Sequence, residues 1–535
     1  MFYHDTIRQH SDDAEKLELT YQQAVKAGEA GAFAEALEAG YIEDTDNLLY
    51  AAWHYRLAYA VASARRRLVA WRWAIPLAIL NGLLLWLISD DQLFVIRLTN
   101  PLTGLDRRAI PVLLLLAAPI SAAVLTAFLT GAGSKDWNRV VTALLGLVVA
   151  AGYVWLFFPS MWPRVYQEQY LGLMVLHLAL FAWATVGLVA MTSQRDVANR
   201  VTFLAKSLEA FVVGGVFVIA GGLFTAITFG LFDALGIEPP AAVVRLFMAG
   251  GAGLIVVIAV ALVYDPTVTS AQQSFDEGLS RLVTMLTRLL LPLTVLVLLI
   301  YLAFIPFNFW EPFENRDVLV IFNAMLFAVM ALLVGATPLR EHEPGARAQT
   351  WLRRGICALA ILALIVGVYA LAAISWRTSI DRLTPNRLTF IGWNVINIAL
   401  LGWLLIQQAR AGQARWLPAL HSTLAAGAVL YVAWTIVGIV ALPWLFHGSP
   451  DDVAHLPPRI QTIVYEQAEP ILLKCINSPH IYRLEDGAKR WIKDIPTFQA
   501  QGYRWNDVTY VSCANLRAVP DGPPIPPDAG PPPQP

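Results

Sequence analysis

Residues 375–387 read Ser-Trp-Arg-Thr-Ser-Ile-Asp-Arg-Leu-Thr-Pro-Asn-Arg, and an apolar run lies on each side, at 356–374 and 388–406. Each run comes close to the roughly 20 residues a helix needs to cross the hydrocarbon core of a bilayer. Two such runs joined by a short polar connection predict a pair of membrane helices. The connection crowds Arg377, Asp381, Arg382, Asn386 and Arg387 together. Thr384 and Pro385 also read as the N-cap and first position of the second helix, where a missing backbone N–H costs nothing.

Outward from this pair the pattern repeats. Further apolar runs fall at 73–88, 110–129, 140–158, 170–191, 208–231, 241–264, 289–307, 317–335 and 424–446. The chain of 535 residues is 57% hydrophobic and 14% charged, with a mean hydropathy of +0.56. Soluble domains carry about 25% charged residues, so the deficit belongs to the spans. The net charge of −1 provides no field for nucleic acid. The expected fold is an all-α polytopic membrane protein of about eleven transmembrane helices. Residues 73–446 form the membrane domain in this reading, behind a cytoplasmic helical segment at 1–72.

Basic residues orient the spans. Arg65, Arg66, Arg67 and Arg72 precede the first run and place the N-terminus in the cytoplasm by the positive-inside rule. With eleven spans, the loops then divide seventeen Lys and Arg inside from nine outside, which agrees with that rule. Two outer loops, 89–109 and 375–387, are nonetheless rich in arginine. Residues 1–13 lack an apolar stretch or a small-residue cleavage site, so no cleaved signal peptide is expected. Residues 1–64 read as a soluble, acidic helical segment, with Ala, Glu, Leu and Gln dominating 14–39, and predict a solvated helical hairpin.

The C-terminal part changes character. Residues 447–470 read as a linker and 471–517 as a small extracytoplasmic module. Asp486-Gly487 between two short strand-like runs predicts a two-residue β-hairpin turn, because both central positions need positive φ. Cys475 and Cys513 flank the module and suit a disulfide outside the cytosol. The Pro-rich residues 518–535 are expected to be extended and disordered. Cys357, within an apolar run, reads as a small core residue.

Signatures of soluble enzymes are lacking: there is no Walker loop, no HExxH, no CxxC and no nucleophile elbow, and no cofactor is expected. The polar residues inside the spans are few. Asn394 and Asn397 share one helical face, Asn323 lies in an earlier span and His177 in the fourth; such groups usually hydrogen-bond between helices. No Asp, Glu, Lys or Arg falls at the centre of a predicted span, which argues against a proton- or ion-coupled pump. His447, Asp451, Asp452 and His455 have metal-ligand chemistry, but Gly448, Ser449 and Pro450 between them read as a solvated linker, so no metal site is expected. Cys357 aside, the remaining candidates face outward. Arg377, Arg382 and Arg387 present forks that suit phosphate or carboxylate. Glu311 and Glu314 lie in the aromatic outer loop 307–316 and could pair with those arginines.

Arg382-Leu383-Thr384-Pro385-Asn386-Arg387 resembles the Gly-Leu-Thr-Pro-Asn-Arg pattern of a bacterial polytopic membrane family known as domain of unknown function four-one-five-three, with Arg382 in place of the usual glycine. Arg288-Leu289-Leu290-Leu291-Pro292-Leu293 and Lys206-Ser207-Leu208-Glu209, ahead of a Gly-rich span, resemble two further pieces, so the likeness covers about 200–410 by pattern. It implies an integral membrane protein and no defined activity. Lys489-Arg490-Trp491-Ile492 and Gly502-Tyr503-Arg504-Trp505-Asn506-Asp507-Val508 resemble a short module of bacterial extracytoplasmic proteins. The expected function is a non-enzymatic envelope protein of the cytoplasmic membrane that binds lipid, an envelope polymer or a protein partner, or signals across the membrane. The alternatives are a transporter or channel for a lipid-like or small anionic substrate, and a membrane-embedded envelope-polymer transferase.

Overall fold

The computed structural model describes the chain apart from residues 1, 28, 67–68, 100–105, 134, 159–163, 192–195, 271–272, 276–277, 315, 340–345, 381–382, 448–452, 468–469 and 486. The chain divides into two compact units, Met1–Ala70 and Trp71–Pro535.

The first unit is a four-helix cluster rather than the expected hairpin: α1 (Phe2–Gln9), α2 (Ala14–Ala27), α3 (Ala30–Glu43) and α4 (Leu48–Arg66). Ile7, Leu17, Phe33, Leu37, Tyr50 and Trp53 close its core. Asn47 caps α4 through the backbone N–H of Leu49 and Tyr50. Arg56 of α4 grips Glu18 of α2 at the surface.

The second unit holds the membrane domain; among the described residues eleven helices are long and apolar enough to cross a bilayer, and they coincide with the eleven predicted runs. In order they are α5 (Trp71–Ile88), α6 (Val112–Gly133), α7 (Trp137–Phe157), α8 (Arg164–Ala190), α9 (Val197–Ala234), the sixth span Ala241–Val263, α12 (Gly278–Phe304), α14 (Arg316–Ala336), α15 (Ala346–Ile380), α16 (Pro385–Ala411) and α17 (Trp416–Leu445). The sixth span consists of α10 (Ala241–Arg245), a π-turn at Leu246–Gly250 and α11 (Gly251–Val263). The short α13 (Glu311–Glu314) precedes α14. The chain is an all-α polytopic membrane protein.

Several packed regions hold this bundle together, two of them large. Leu326, Leu333, Leu359, Ala363, Leu401 and Leu420 centre a core shared by α12, α14, α15, α16 and α17. Tyr170, Met174, Leu178, Val154 and Leu442 centre another, among α7, α8 and α17. The arginine-rich connection after α5 is not a plain loop. It forms an antiparallel ribbon of β1 (Val95–Thr99) and β2 (Asp106–Pro111), running into α6. Asp90 at its start pairs with Arg245 at 2.8 Å. The N–H groups of Gln92 and Leu93, with help from Arg245, hold the Asp90 carboxyl below the usual carboxylate range.

The C-terminal module is larger than predicted. Its sheet has the order β5-β4-β3-β6, from β3 (Ile471–Cys475), β4 (Ile481–Glu485), β5 (Ala488–Ile492) and β6 (Val508–Val511). Glu485 pairs with Ala488 and Gly487 has φ 70°, the two-residue hairpin expected from Asp-Gly. β6 joins β3 in parallel. Alternate side chains point to opposite faces of a strand. Ile471, Leu473 and Cys475 therefore face α18 (Pro458–Glu466), and Leu472 faces Phe498 of α19 (Ile495–Ala500). Cys475 is bonded to Cys513, at the start of α20 (Cys513–Arg517), with Cα atoms 5.0 Å apart.

Two expectations are corrected here. The linker 447–470 contributes α18, and Leu456, Ile460 and Ile463 are core residues of the module. The tail expected to be disordered runs beside β5. Gly522 N–H donates to Lys489 O at 2.9 Å, and Ile525 N–H donates to Trp491 O at 2.7 Å. Prolines lack donors but tolerate a sheet edge, while Gly522 and Ile525 between them supply the missing N–H groups. Lys489, 1% exposed, donates to Val519 O at 2.6 Å and pairs with Asp521 at 2.9 Å, which fixes the tail.

Candidate functional site

The site lies on α9. Asp196 caps this helix by accepting from the N–H of Ala198 at 3.1 Å. No breaker follows before the apolar run, so the helix extends for 38 residues. At 1.5 Å per residue that is about 57 Å, well beyond the ~30 Å hydrocarbon thickness. The early turns therefore carry polar residues into the helical bundle. Lys206 and Glu209, three apart and on one face, are 5% and 4% exposed. Lys206 Nζ donates to Glu209 Oε2 at 2.8 Å and to Ser280 Oγ of α12 at 3.3 Å, and the Ser280 hydroxyl donates to Glu209 Oε2 at 2.9 Å. The Phe275 ring lies 4.2 Å from Nζ. Isolated buried charges are costly, and pairing with added hydrogen bonds offsets that cost.

Space lies on both sides of this cluster. On one side is a cavity of about 460 Å³, walled by α5, α6, α8, α9 and α11. Ala118 and Ala122 of α6, Ala179 and Ala182 of α8 and Ala210 of α9 line it, and their short side chains create the volume. Lys206, Ser207 and Tyr264 are among its few polar edges. Trp183 Nε1 donates to Ser207 Oγ at 2.9 Å and so ties α8 to α9 at the wall. The opposite wall is set by a close crossing of α5 and α11. A Cβ on Gly253 would lie 2.9 Å from Gly82 Cα, and Asn81 Nδ2 donates to Gly253 O at 2.8 Å and to Ser121 Oγ at 3.1 Å.

On the other side is a cavity of about 630 Å³ between α9, α12 and α14, with Glu209, Arg281, Thr284, Arg288 and Thr337 in its lining.

The residues singled out from sequence fall elsewhere. Asn394 Nδ2 donates to Asn323 Oδ1 at 2.7 Å, and Asn323 Nδ2 to Leu319 O at 2.7 Å, joining α16 to α14. Asn397 accepts from the Tyr431 hydroxyl of α17. His177 donates to Leu173 O at 2.8 Å and is pressed on Gly438, where a Cβ would meet the ring at 2.6 Å. Trp393 lies among His177, Phe327 and Tyr431. His177 Nε2, Trp393 Nε1 and Asn394 Oδ1 are buried without a hydrogen-bond partner, so close packing holds this knot more than hydrogen bonding does. None of these residues lines either cavity.

Of the outer connection, Asp381 and Arg382 are outside the described residues. Thr384 caps α16, its hydroxyl accepting from Arg387 N–H at 3.3 Å, and Pro385 is the first helical residue. Asn386 N–H approaches Gln169 Oε1 of α8 at 3.4 Å. Arg377 lies in the last turn of α15, so the two described arginines of this stretch flank one helix-helix turn. Glu311 and Glu314 bound α13, beside an aromatic cluster of Phe309, Trp310 and Phe313 packed on Tyr369 of α15. His455 donates to Gly487 O at 3.1 Å and braces the hairpin turn, and His447 donates to Trp444 O at 2.9 Å. Among the described residues no three of His, Cys, Asp and Glu converge as a metal site.

Sequence reading missed the α9 cluster because the span was drawn from 208, which left Lys206 among loop charges. The signal available was Asp196 followed by seventeen residues without proline or glycine, which predicts a helix already under way at Lys206.

No family model, curated protein or solved structure matches the chain. The fold makes it a multi-pass integral membrane protein, and the α9 cluster borders two cavities in that fold.

Proposed function

We propose that the protein is a non-enzymatic lipid-binding component of a bacterial envelope. In this reading it sits in the cytoplasmic membrane with its N-terminus in the cytoplasm and its C-terminal module outside. The observation that carries it is the apolar cavity of about 460 Å³ beside the Lys206–Glu209 pair. That volume suits a small ligand, for which sites span about 300–1,000 Å³, and its alanine-lined walls suit hydrocarbon. Among the described residues that line the cavity there is no histidine, cysteine or aspartate. The orientation is supported by the distribution of Lys and Arg and by the Cys475–Cys513 bond, since disulfides persist outside the cytosol. The resemblance to domain of unknown function four-one-five-three agrees with a membrane role. Arg377, Arg382 and Arg387, with Glu311 nearby in sequence order of the outer loops, would meet an envelope polymer or protein partner on the outer side.

Native mass spectrometry of the protein purified in mild detergent tests the reading. The wild type should retain lipid, and Ala210→Leu, which narrows the cavity, should retain less at an unchanged melting temperature. Equal retention would end it. A second reading, transport of the same lipid-like molecule, is favoured by the π-turn at Leu246–Gly250 in the span that lines the cavity, because such turns often mark working positions. Lipid movement between leaflets of reconstituted vesicles separates the two.

A further inference from the structure

We infer that the second cavity, between α9, α12 and α14, is a binding site for the phosphate of an anionic phospholipid. The inference does not depend on what fills the apolar cavity. Arg281, Thr284 and Arg288 follow one another at i, i+3 and i+7 along α12, so all three reach the same cavity, and each lines it. Residues at these spacings share a helix face. Among the described lining residues there are two guanidinium groups and one carboxylate, Glu209, which is held by Lys206 at 2.8 Å and Ser280 at 2.9 Å. Among these described side chains positive charge exceeds negative, since Lys206 balances Glu209 behind the two arginines. Guanidinium forks match phosphate oxygens, and basic pockets between membrane helices take lipid head groups.

The source of the phosphate follows from where the cavity opens. Met285 lines the cavity and is also 65% exposed. Beyond it Leu289, Leu293 and Leu296 continue an exposed apolar track along α12. A phosphate held by Arg281 and Arg288 would thus have hydrocarbon beside it, which suits acyl chains and offers nothing to a free anion.

Native mass spectrometry of the full chain in mild detergent, titrated with phosphatidylglycerol or phosphatidylcholine, tests this. Phosphatidylglycerol should be retained preferentially. Replacing each arginine by glutamine should reduce that preference about fivefold, on the scale of one cation near an anionic lipid. Arg281 is exposed, so Arg281→Gln alone keeps the fold and carries the test if the double variant does not fold. Arg415→Gln, outside the cavity, should change nothing. Equal retention of the two lipids, or an unchanged preference in Arg281→Gln, overturns the inference. Soluble glycerol 3-phosphate competing as well as the lipid also overturns it. Ala210→Leu, which tests the apolar cavity, should leave the phosphatidylglycerol preference intact, so the two readings fail separately.

Discussion

Asn394 and Lys206 are both polar, both buried and both on membrane helices, yet their surroundings differ. Asn394 has no exposed surface and belongs to a knot of Asn323, Asn397, Tyr431, Trp393 and His177 that neither cavity reaches. Lys206 and Glu209 are nearly as buried, but open volume lies on each side of them. A polar residue packed on every side can act as a strut between helices. One that borders space can also act on what enters that space. Burial alone does not separate a strut from a site; the neighbouring volume does.

The largest expected effect falls on the ion pair. Glu209→Ala leaves a buried ammonium beside the Ser280 hydroxyl and the Phe275 ring with its carboxylate gone and should cost about 3–5 kcal/mol, whereas a Lys206→Met, Glu209→Leu double variant should come close to wild-type stability. Melting temperatures in detergent measure both, and a Glu209→Ala protein as stable as the wild type would break the comparison. Overpacking comes next. A Cβ at Gly392 would sit 1.8 Å from a ring atom of Trp434, so Gly392→Ala should cost about 1–3 kcal/mol. Ala210→Leu, facing the cavity, should cost much less, and equal costs would show that the cavity wall is as closed as the knot.

A double-mutant cycle on Asn323 and Asn394 should give a coupling of about 0.6 kcal/mol, the usual size for hydrogen bonds between membrane helices. A coupling several times larger would move the knot out of the class of struts. The smallest effect belongs to the same charges in water. Glu18 and Arg56 pair on the surface of the N-terminal unit, and Glu18→Gln should cost about 0.2–1 kcal/mol. The Arg56 guanidinium holds the Glu18 carboxyl below its ordinary value of 4.5. Its contribution is therefore complete above 4.5 and is lost as the pH falls through the lower folded-state value. Hydrogen exchange in α2 and α4 should quicken over that acid interval in the wild type and not in Glu18→Gln, after correction for intrinsic rates.

The eleven spans were legible because hydrocarbon burial needs long apolar runs, and such runs survive any uncertainty in their ends. The ends were less legible. Helices α9 and α15 continue past the hydrocarbon, since Lys, Glu, Arg and Gln are good helix formers, and nothing in hydropathy records that continuation. Asn394 and Asn397 were placed on one face correctly, but their partners are not a common one: Asn323 takes the first and Tyr431 the second. Sequence cannot assign partners that depend on which helices adjoin. The Pro-rich tail was misread for a related reason. Its few N–H groups find β5 only once the hairpin exists, so composition alone describes a chain with nothing to hold it.

The bond between Cys475 and Cys513, at a sequence separation of 38, turns this part of the C-terminal module into a covalent ring. A protease that cuts anywhere within 476–512 would open that ring without shortening the molecule. Nicked and intact chains would migrate together on a denaturing gel until reductant is added, and only then would the fragments part. Gel mobility without reductant thus reports on the rest of the chain, and the comparison with and without it reports on this one ring.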